Sequence, residues 1–356
     1  MIHTFEVSSW LPARVYDYLN QNLPSLTQVS RYVRRTNYFS NKGIMQTELR
    51  TFEYEKGGII MYRYYLILRC NLSIVMGGSR TLLLNDEYSP DELLAGLQKR
   101  LYEINQFRYV QLDKLTTNIF QANRIDLAQD ILTDNPELLI WLCNMSFPFN
   151  YRNMKRKVIH KPPEQLYHES CCFCNRSRGL NLYYKKSAMV NLGQEIRPEE
   201  QERIERLVRF EIQVEKRAVY NMKLSTRRSL KPFLEYQFCS DYVLKEAYSI
   251  FGTAPYMSRT KALEAIQNSP YKPFDKAVME SIIDTVPRYG GLYELEGAIA
   301  DESINTPLQY GNLRTFKTKW LGKFKAIGIQ PVVIPDDFGI EKMPSIYELL
   351  KGVDTL

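Results

Sequence analysis

Two short segments near the middle of the chain alternate between polar and apolar side chains, which is the pattern of β-strands. In residues 180–186, Tyr183 and Lys185 fall on a polar face, and leucines occupy the opposite face. Residues 207–215 alternate in the same way, and their polar face includes Glu211. The alternation predicts two strands that are each buried on one side only. A tyrosine, a lysine and a glutamate are therefore expected to meet on one exposed sheet surface.

The rest of the first 232 residues predicts further strands with a few helices between them. Alternating apolar residues and Gly-Gly turns predict strands at residues 2–7, 33–39, 48–54, 59–75 and 115–130. Helices are predicted at residues 12–19, 135–143 and 197–206. Another helix is expected to begin at Pro90, because Ser89 and Glu92 form the pattern of a capping box.

After residue 232 the pattern changes to helices separated by loops. Apolar residues recur at helical spacing in residues 242–251, 258–268, 274–286, 292–304 and 312–327. The predicted fold class is α+β, with an antiparallel-sheet domain at residues 1–232 and a mainly helical domain at residues 233–356.

Composition describes a globular chain with a sizeable core. The chain has 356 residues, of which 44% are apolar and 24% charged, enough for two or three domains. It has no run of 18 apolar residues and does not begin like a secretory signal, so we expect a cytoplasmic protein with no membrane partner. Six cysteines in so long a chain are expected to be reduced thiols.

Positive charge is concentrated in one part of the chain. The net charge is +7, yet residues 151–232 contain 19 Lys and Arg against 9 Asp and Glu, an excess of ten that leaves about three negative charges elsewhere. Near Tyr151, Tyr167 and His160, a basic loop contains Arg152, Lys155, Arg156 and Lys157. Interleaved cations and aromatic rings suit single-stranded nucleic acid. The alternative is an ordinary solvated basic face.

The last predicted helix, residues 312–327, is also basic. It combines an apolar stripe with five Lys or Arg residues and contains no acid. One interpretation is that it resembles the later helix of a helix-turn-helix unit and reads origin DNA. The alternative is a cationic helix that only covers its domain.

A carboxylate occupies an unusual position in the segment RIDLAQD, residues 124–130. In a strand, Arg124 and Asp126 fall on the same face. A carboxylate buried there needs a cationic partner or a metal ion, because an unpaired buried charge is costly. The alternative is a surface ion pair between Arg124 and Asp126.

Cysteine and histidine residues offer a competing metal site. His160, His168, Cys171 and Cys174, with Cys172 as a further ligand, have the side chains of a structural zinc site. The alternative is that these cysteines are small core residues.

Three segments in order resemble the motifs of one protein family. RIDLAQD at 124–130, SRGLNLYYKK at 177–186 and LVRFEIQVEKR at 207–217 resemble the three strand motifs of rolling-circle replication initiators. The similar branch includes the Rep-trans plasmid proteins and the gene II/X replication proteins of filamentous phages. The order of elements matches over about residues 1–230, and about 30 residues carry the motifs themselves.

The resemblance implies a DNA-nicking and joining domain at residues 1–232, in which Tyr183 attacks a phosphodiester and becomes linked to the 5′ phosphate. Lys185 would assist it, and Asp126 and Glu211 would hold Mg²⁺ or Mn²⁺, which prefer oxygen ligands. No two of the three histidines are separated by a single residue, so the histidine-pair metal site of other rolling-circle nucleases is excluded.

The resemblance also implies partners. They are origin DNA, single-stranded or in a hairpin, host helicase and polymerase, and a second copy in a homodimer. The basic residues assigned to DNA contact are Arg124, Arg152, Lys155, Arg156, Lys157, Arg178, Lys186 and Arg209. Two alternatives remain open, a relaxase of a conjugative element with the same chemistry and a DNA-binding protein that does not catalyse.

Overall fold

The computed structural model of the protein describes residues 2–79, 81–84, 87–110, 120–157, 170–224, 228–304 and 310–352. Its strands, in chain order, are β1 (Ile2–Leu11), β2 (Thr27–Ser30), β3 (Val33–Thr36), β4 (Ile44–Lys56), β5 (Ile59–Asn71), β6 (Gln121–Leu132), β7 (Lys155–Arg156), β8 (Ser170–Cys174), β9 (Arg178–Tyr184), β10 (Leu207–Glu215), β11 (Tyr256–Met257) and β12 (Lys342–Met343). The first ten form one antiparallel sheet in the order β2-β3-β4-β5-β1-β6-β10-β9-β8-β7. The predicted α+β class is confirmed.

The helices lie between these strands and make up most of the chain after residue 232. They are α1 (Ala13–Asn22), α2 (Leu72–Val75), α3 (Pro90–Tyr102), α4 (Pro136–Ser146), α5 (Lys185–Asn191), α6 (Gln201–Glu205), α7 (Lys216–Asn221), α8 (Tyr236–Phe251), α9 (Arg259–Gln267), α10 (Pro273–Tyr289), α11 (Leu292–Ala300), α12 (Leu313–Thr315, a π-helical turn at Phe316–Trp320, and Leu321–Ala326) and α13 (Ile346–Leu350). Among the residues described, no helix is long and apolar enough to cross a membrane.

The chain divides into two compact units that are not continuous in sequence. Unit 1 comprises Met1–Gln129, Arg176–Arg178 and Glu211–Val243, and unit 2 comprises Asp130–Asn175, Gly179–Phe210 and Leu244–Leu356. This division differs from a single boundary after residue 232, because strand segments from the middle of the chain group with the C-terminal helices.

Unit 1 is built on a long antiparallel hairpin and the N-terminal strand. β4 and β5 have 13 residues each, and both glycines of the turn, Gly57 and Gly58, adopt positive φ, as the tightest hairpin turns require. β1 pairs with β5 so that Phe5 lies opposite Cys70 and Val7 opposite Leu68. All four side chains are buried, and they form the apolar face of the unit.

Local signals for helices are confirmed. The side chain of Ser89 accepts a hydrogen bond from the backbone N–H of Glu92, whose carboxylate accepts one from the N–H of Ser89 in return. This capping box starts α3 at Pro90, as predicted. The helices after residue 232 also occur where the apolar spacing predicts them, because that spacing is a local property of the chain.

The basic helix α12 packs as predicted, but three of its four lysines are engaged within unit 2. Phe316, Trp320 and Phe324 are buried. Lys317 lies 3.0 Å from the Glu296 carboxylate, and Asp275 forms ion pairs with two further lysines of the helix, Lys319 at 3.7 Å and Lys323 at 3.3 Å. These pairs favour the interpretation that α12 covers its domain.

The prediction that β10 is buried on one side only is wrong. Every residue from Leu207 to Ile212 is buried, including the charged residues Arg209 and Glu211. Burial is possible because each charge has a partner. Arg209 donates from Nε and Nη2 to the two oxygens of Asp130 at 2.7 and 2.9 Å, a bidentate geometry that partly offsets the cost of removing both ions from water.

We expect Arg209→Ala to lower the free energy of unfolding by about 3 kcal/mol, since it leaves Asp130, whose side chain is only 11% exposed, without its cation. Arg206→Ala is the matched control. Arg206 pairs with Asp134 at 2.7 Å, but these side chains are 46% and 70% exposed, so its loss should cost less than about 1 kcal/mol. Urea denaturation measures both values, and equal midpoints for the two variants would contradict the assignment.

Candidate functional site

The polar face of unit 1 contains the carboxylates predicted from the first and third motifs. β1 pairs with β6 so that Thr4 lies opposite Asp126 and Glu6 opposite Arg124. Because side chains alternate along a strand, these polar residues share one face, opposite the face that buries Phe5. The antiparallel register of β1 thus lines the neighbourhood of Asp126 with polar groups.

Asp126 is 1% exposed and has several partners. Arg124 donates from Nε to Oδ1 at 2.7 Å and from Nη2 to Oδ2 at 3.0 Å. The hydroxyl of Thr4 donates to Oδ2, and Arg69 lies 3.7 Å from the same oxygen. The Arg124–Asp126 ion pair, which the sequence suggested as the alternative to a metal site, therefore exists, but it is largely buried and does not lie on the surface.

Glu211 lies in the same unit and is 6% exposed. Its Oε2 lies 3.2 Å from Nδ1 of His3, within hydrogen-bond distance, and its Oε1 accepts a hydrogen bond from Gln213 at 2.9 Å. His3 was not among the predicted site residues. No local pattern indicates it, since its position depends on the pairing of the N-terminal strand.

The two carboxylates influence each other electrostatically. Burial raises the pKa of Asp126 above its ordinary value, the negative charge of Glu211 raises it further, and the hydrogen bond from Arg124 lowers it in part. Burial likewise raises the pKa of Glu6, with contributions from Glu48 and Glu215. For both carboxyls, burial is the larger cause of the raised pKa, and repulsion from neighbouring acids adds to it.

A divalent cation suits this electrostatic situation, since Mg²⁺ and Mn²⁺ bind carboxylate oxygens and would relieve the repulsion. Asp126 and Glu211 are the residues that would hold it. Both oxygens of Asp126 already accept hydrogen bonds, so the cation would share them with Arg124. In the described part of the chain, no group of three or more His, Cys, Asp or Glu residues is arranged for metal binding.

The leucine face of the strand that carries Tyr183 is buried as predicted, whereas Tyr183 and Tyr184 are both half-buried. In β9, Leu180 and Leu182 are buried and Tyr183 is half-buried. The neighbouring Tyr184 donates from its hydroxyl to the backbone carbonyl of Glu205 at 2.9 Å. Burial raises the pKa of Tyr184, and Lys186 offsets this in part.

The prediction that Lys185 continues the strand of Tyr183 is wrong. The strand ends at Tyr184, and Lys185 is the first residue of α5. Its side chain is also buried, whereas an exposed sheet surface was expected. After Tyr184 the alternation stops, since Lys185, Lys186 and Ser187 are all polar, and the backbone turns into a helix there.

The predicted DNA-contacting arginines are mostly engaged in contacts within the protein. Arg209 is 0% exposed and cannot reach DNA, so its assignment is wrong. Arg152 lies 2.5 Å from Glu246, and Arg156 lies 2.8 Å from Glu294 and over the ring of Phe173. Arg124 pairs with Asp126. The local excess of positive charge is thus partly neutralised by acids far away in sequence.

The remaining candidates keep more freedom to contact a ligand. Lys155 and Lys157 are exposed. Lys186 is 42% exposed and lies 3.2 Å from Glu205. Arg178 donates to the hydroxyl of Tyr242 at 2.6 Å. Exposure favours the lysines as contacts to phosphate, because an exposed ion pair is weak and easily replaced.

None of the six cysteines forms a disulfide, as predicted. Cys171 is buried, while Cys172 and Cys174 are half-buried in β8. Burial raises the pKa of Cys143, and its hydrogen bond with Cys171 raises it further, which fits small core residues. Two of the proposed zinc ligands, His160 and His168, lie outside the described residues together with Tyr167, so the zinc site stays a prediction.

Comparison with known proteins does not assign the chain to a family. No family model matches it, and no curated protein matches it. Among solved structures, one match is the crystal structure of DynU16, a protein of the dynemicin biosynthetic locus. The two share 10% sequence identity, the match covers 68% of this chain and 95% of that one, and the TM-score is 0.17. So low a TM-score supports no conclusion about fold or function.

We expect Mg²⁺ to stabilise the protein through Asp126 and Glu211. At about 100 times its dissociation constant, a ligand specific for the folded state raises the free energy of unfolding by about 2.7 kcal/mol. Asp126→Asn and Glu211→Gln should remove most of this increment. Urea denaturation with and without Mg²⁺ measures it.

The control is Glu103→Gln, since Glu103 is an acid of the same unit whose side chain is 41% exposed and pairs with Arg100. This variant should keep the Mg²⁺ increment. An increment that survives unchanged in Asp126→Asn and Glu211→Gln would place the cation elsewhere.

Proposed function

We propose that the protein is a replication initiator of a phage or plasmid that nicks and rejoins DNA through a covalent phosphotyrosine. One observation carries the proposal. Asp126 from the first motif and Glu211 from the third, 85 residues apart in sequence, lie in one unit and are close enough for the charge of Glu211 to raise the pKa of Asp126. A carboxylate pair of this kind supplies oxygen ligands for the metal ion of a phosphodiester transfer.

In the proposed reaction, the phenolate of Tyr183 forms a bond to the scissile phosphorus. The bond from phosphorus to the 3′ oxygen breaks, and that oxygen takes up a proton to become the 3′-OH from which a polymerase extends. Rejoining is the reverse reaction, in which the 3′-OH attacks the phosphotyrosine. Because the two phosphodiesters have similar energy, no external energy source is needed.

The side chains support this reaction in different ways. A phenol has an ordinary pKa near 10, so a nearby positive charge is needed to favour the phenolate at neutral pH. Lys185 directly follows the tyrosine pair in the chain and is the candidate for that charge. A bound Mg²⁺ or Mn²⁺ would polarise the phosphate oxygens. Arg124 orients Asp126 by its bidentate hydrogen bonds.

A DNA-binding protein that does not catalyse is the second candidate, and one observation favours it. Asp126 already has two cationic neighbours, Arg124 and Arg69, and a hydroxyl donor in Thr4, so it is satisfied without a metal ion. A relaxase of a conjugative element would use the same chemistry as the initiator. The identity of the cleaved DNA, an origin of replication or of transfer, separates those two.

The covalent product tests the proposal. The full-length protein is incubated with Mg²⁺ and labelled single-stranded oligonucleotides tiled across its gene and the flanking DNA, and covalent protein–DNA bands are sought on a denaturing gel. We expect Tyr183→Phe to lose the band, because the attacking oxygen is absent. Chelation by EDTA should also abolish it.

Tyr184→Phe is the matched control for this experiment. It should keep the band and lose about 1 kcal/mol of stability, since it removes only the hydrogen bond to the carbonyl of Glu205. A band that persists in Tyr183→Phe would refute the assignment of the nucleophile. If oligonucleotides bind but never form an adduct, the non-catalytic alternative is correct.

A further inference from the structure

Unit 1 carries a cluster of aromatic rings and one arginine at the end of its long hairpin. We call it the aromatic platform, and it consists of Trp10 on β1, Phe52 and Tyr54 on β4, and Arg63 and Tyr65 on β5. Trp10 lies opposite Tyr65, and Phe52 lies opposite Arg63. Because side chains alternate along paired strands, all five share one face of the sheet.

The rings of the platform contact one another. The centroids of Trp10 and Tyr65 are 4.2 Å apart, and those of Phe52 and Tyr65 are 5.1 Å apart in an edge-to-face arrangement. The guanidinium of Arg63 lies 5.0 Å from the centroid of Trp10 and 4.4 Å from that of Tyr54. Mutual packing of this kind restricts the side chains before any ligand binds, which reduces the entropic cost of binding.

The platform is nevertheless open to solvent. Trp10 is 44% exposed and Phe52 is 48% exposed. Burying a large apolar side chain contributes roughly 1.5–3 kcal/mol, so two exposed rings side by side leave much of that contribution unused. A contiguous exposed aromatic patch of this kind marks an interaction surface more often than a single exposed ring does.

Arg63 determines which kind of partner fits. It is exposed, and within the described ranges it makes no ion pair with an acid of the protein. Its positive charge is therefore open to an anionic ligand. Exposed aromatic faces combined with an uncompensated arginine are what single-stranded nucleic acids bind, by base stacking and phosphate contact.

The platform continues the face that holds Asp126. β1 pairs with β5 without interruption from Thr4 to Leu11, so Thr4, Glu6, Ser8 and Trp10 follow one another on the same face. Six residues at about 3.3 Å each place Trp10 about 20 Å along the strand from Thr4, which contacts Asp126. A strand of DNA that lay along β1 at Thr4 would extend over the platform within a few nucleotides, within the 4–16 nucleotides that comparable sites cover.

We propose that the aromatic platform binds the unpaired bases of single-stranded DNA by stacking on Trp10 and Phe52, with Arg63 contacting the DNA backbone. The inference rests on the proposed function, since it takes DNA as the ligand, and it names the segment that holds the strand beside the carboxylates. A second copy of the chain is the competing occupant. It fits less well, because a two-fold interface centred on the platform brings Arg63 close to its own copy.

The test measures binding of the full-length chain to a fluorescein-labelled oligomer of 20 deoxythymidines. Tyr183→Phe is used as the background in the presence of EDTA, so that cleavage does not interfere. Fluorescence anisotropy should show roughly 5- to 150-fold weaker binding for Trp10→Ala and for Phe52→Ala, the range expected for loss of one stacked base. Trp10→Phe should retain most of the affinity, since it keeps an aromatic face.

Salt dependence separates the roles of the rings and the arginine. Trp10→Ala should leave the slope of log affinity against log salt unchanged, because a ring neutralises no phosphate. Arg63→Ala should reduce that slope by about 0.7, the value for one phosphate contact on a single strand. Tyr102→Ala is the matched control, since Tyr102 is a 61% exposed aromatic residue at the end of α3, and it should bind like the background protein.

Two results would overturn the inference. One is wild-type affinity in both Trp10→Ala and Phe52→Ala, with folding verified by circular dichroism. The other is a dimer in sedimentation velocity that Trp10→Ala converts to a monomer, which would assign the platform to a second copy. The outcome is independent of the nicking test. Weakened binding without any covalent adduct would support the platform and refute the nuclease, and an adduct with unweakened binding would do the reverse.

Discussion

The burial of the Asp126 carboxylate is the constraint on which unit 1 depends. An ionised carboxylate loses its hydration when it is buried, so it must be met by donors at fixed positions. Arg124 comes from its own strand, but Thr4 reaches it only if β1 pairs in one register. A shift of one residue would move Thr4 to the apolar face and expose Phe5. The same register that satisfies the charge therefore also forms the core.

That register has a second consequence for chemistry. His3 precedes Thr4, and its ring lies 3.2 Å from Glu211, so the N-terminal strand contacts both carboxylates of the proposed metal site. In unit 2 the Arg209–Asp130 pair shows the contrasting case. Its arginine is fully buried and bidentate, which leaves it no surface for a ligand. A charged side chain with a structural role differs from a functional candidate in its exposure and in the position of its partners, more than in the charge itself.

The two faces of the strands in unit 1 carry different aromatic residues. Phe5 is buried, whereas Trp10, on the opposite face of the same strand, is 44% exposed. The exposed rings then rely on one another and on Arg63 for packing. A sheet face that combines buried carboxylates with an exposed aromatic surface provides separate places for a reacting phosphate and for the bases next to it.

The sequence by itself determined the features that depend on local periodicity. These include the buried leucines of β9, the apolar face of β10, the capping box at Ser89 and the helices after residue 232. Only the tertiary structure decided what surrounds the polar residues. Partners of Arg152 and Arg156 lie 94 and 138 residues away, and the partner of Glu211 lies 208 residues away. Alternation specifies which side chains share a face, but burial of that face depends on elements that are distant in sequence.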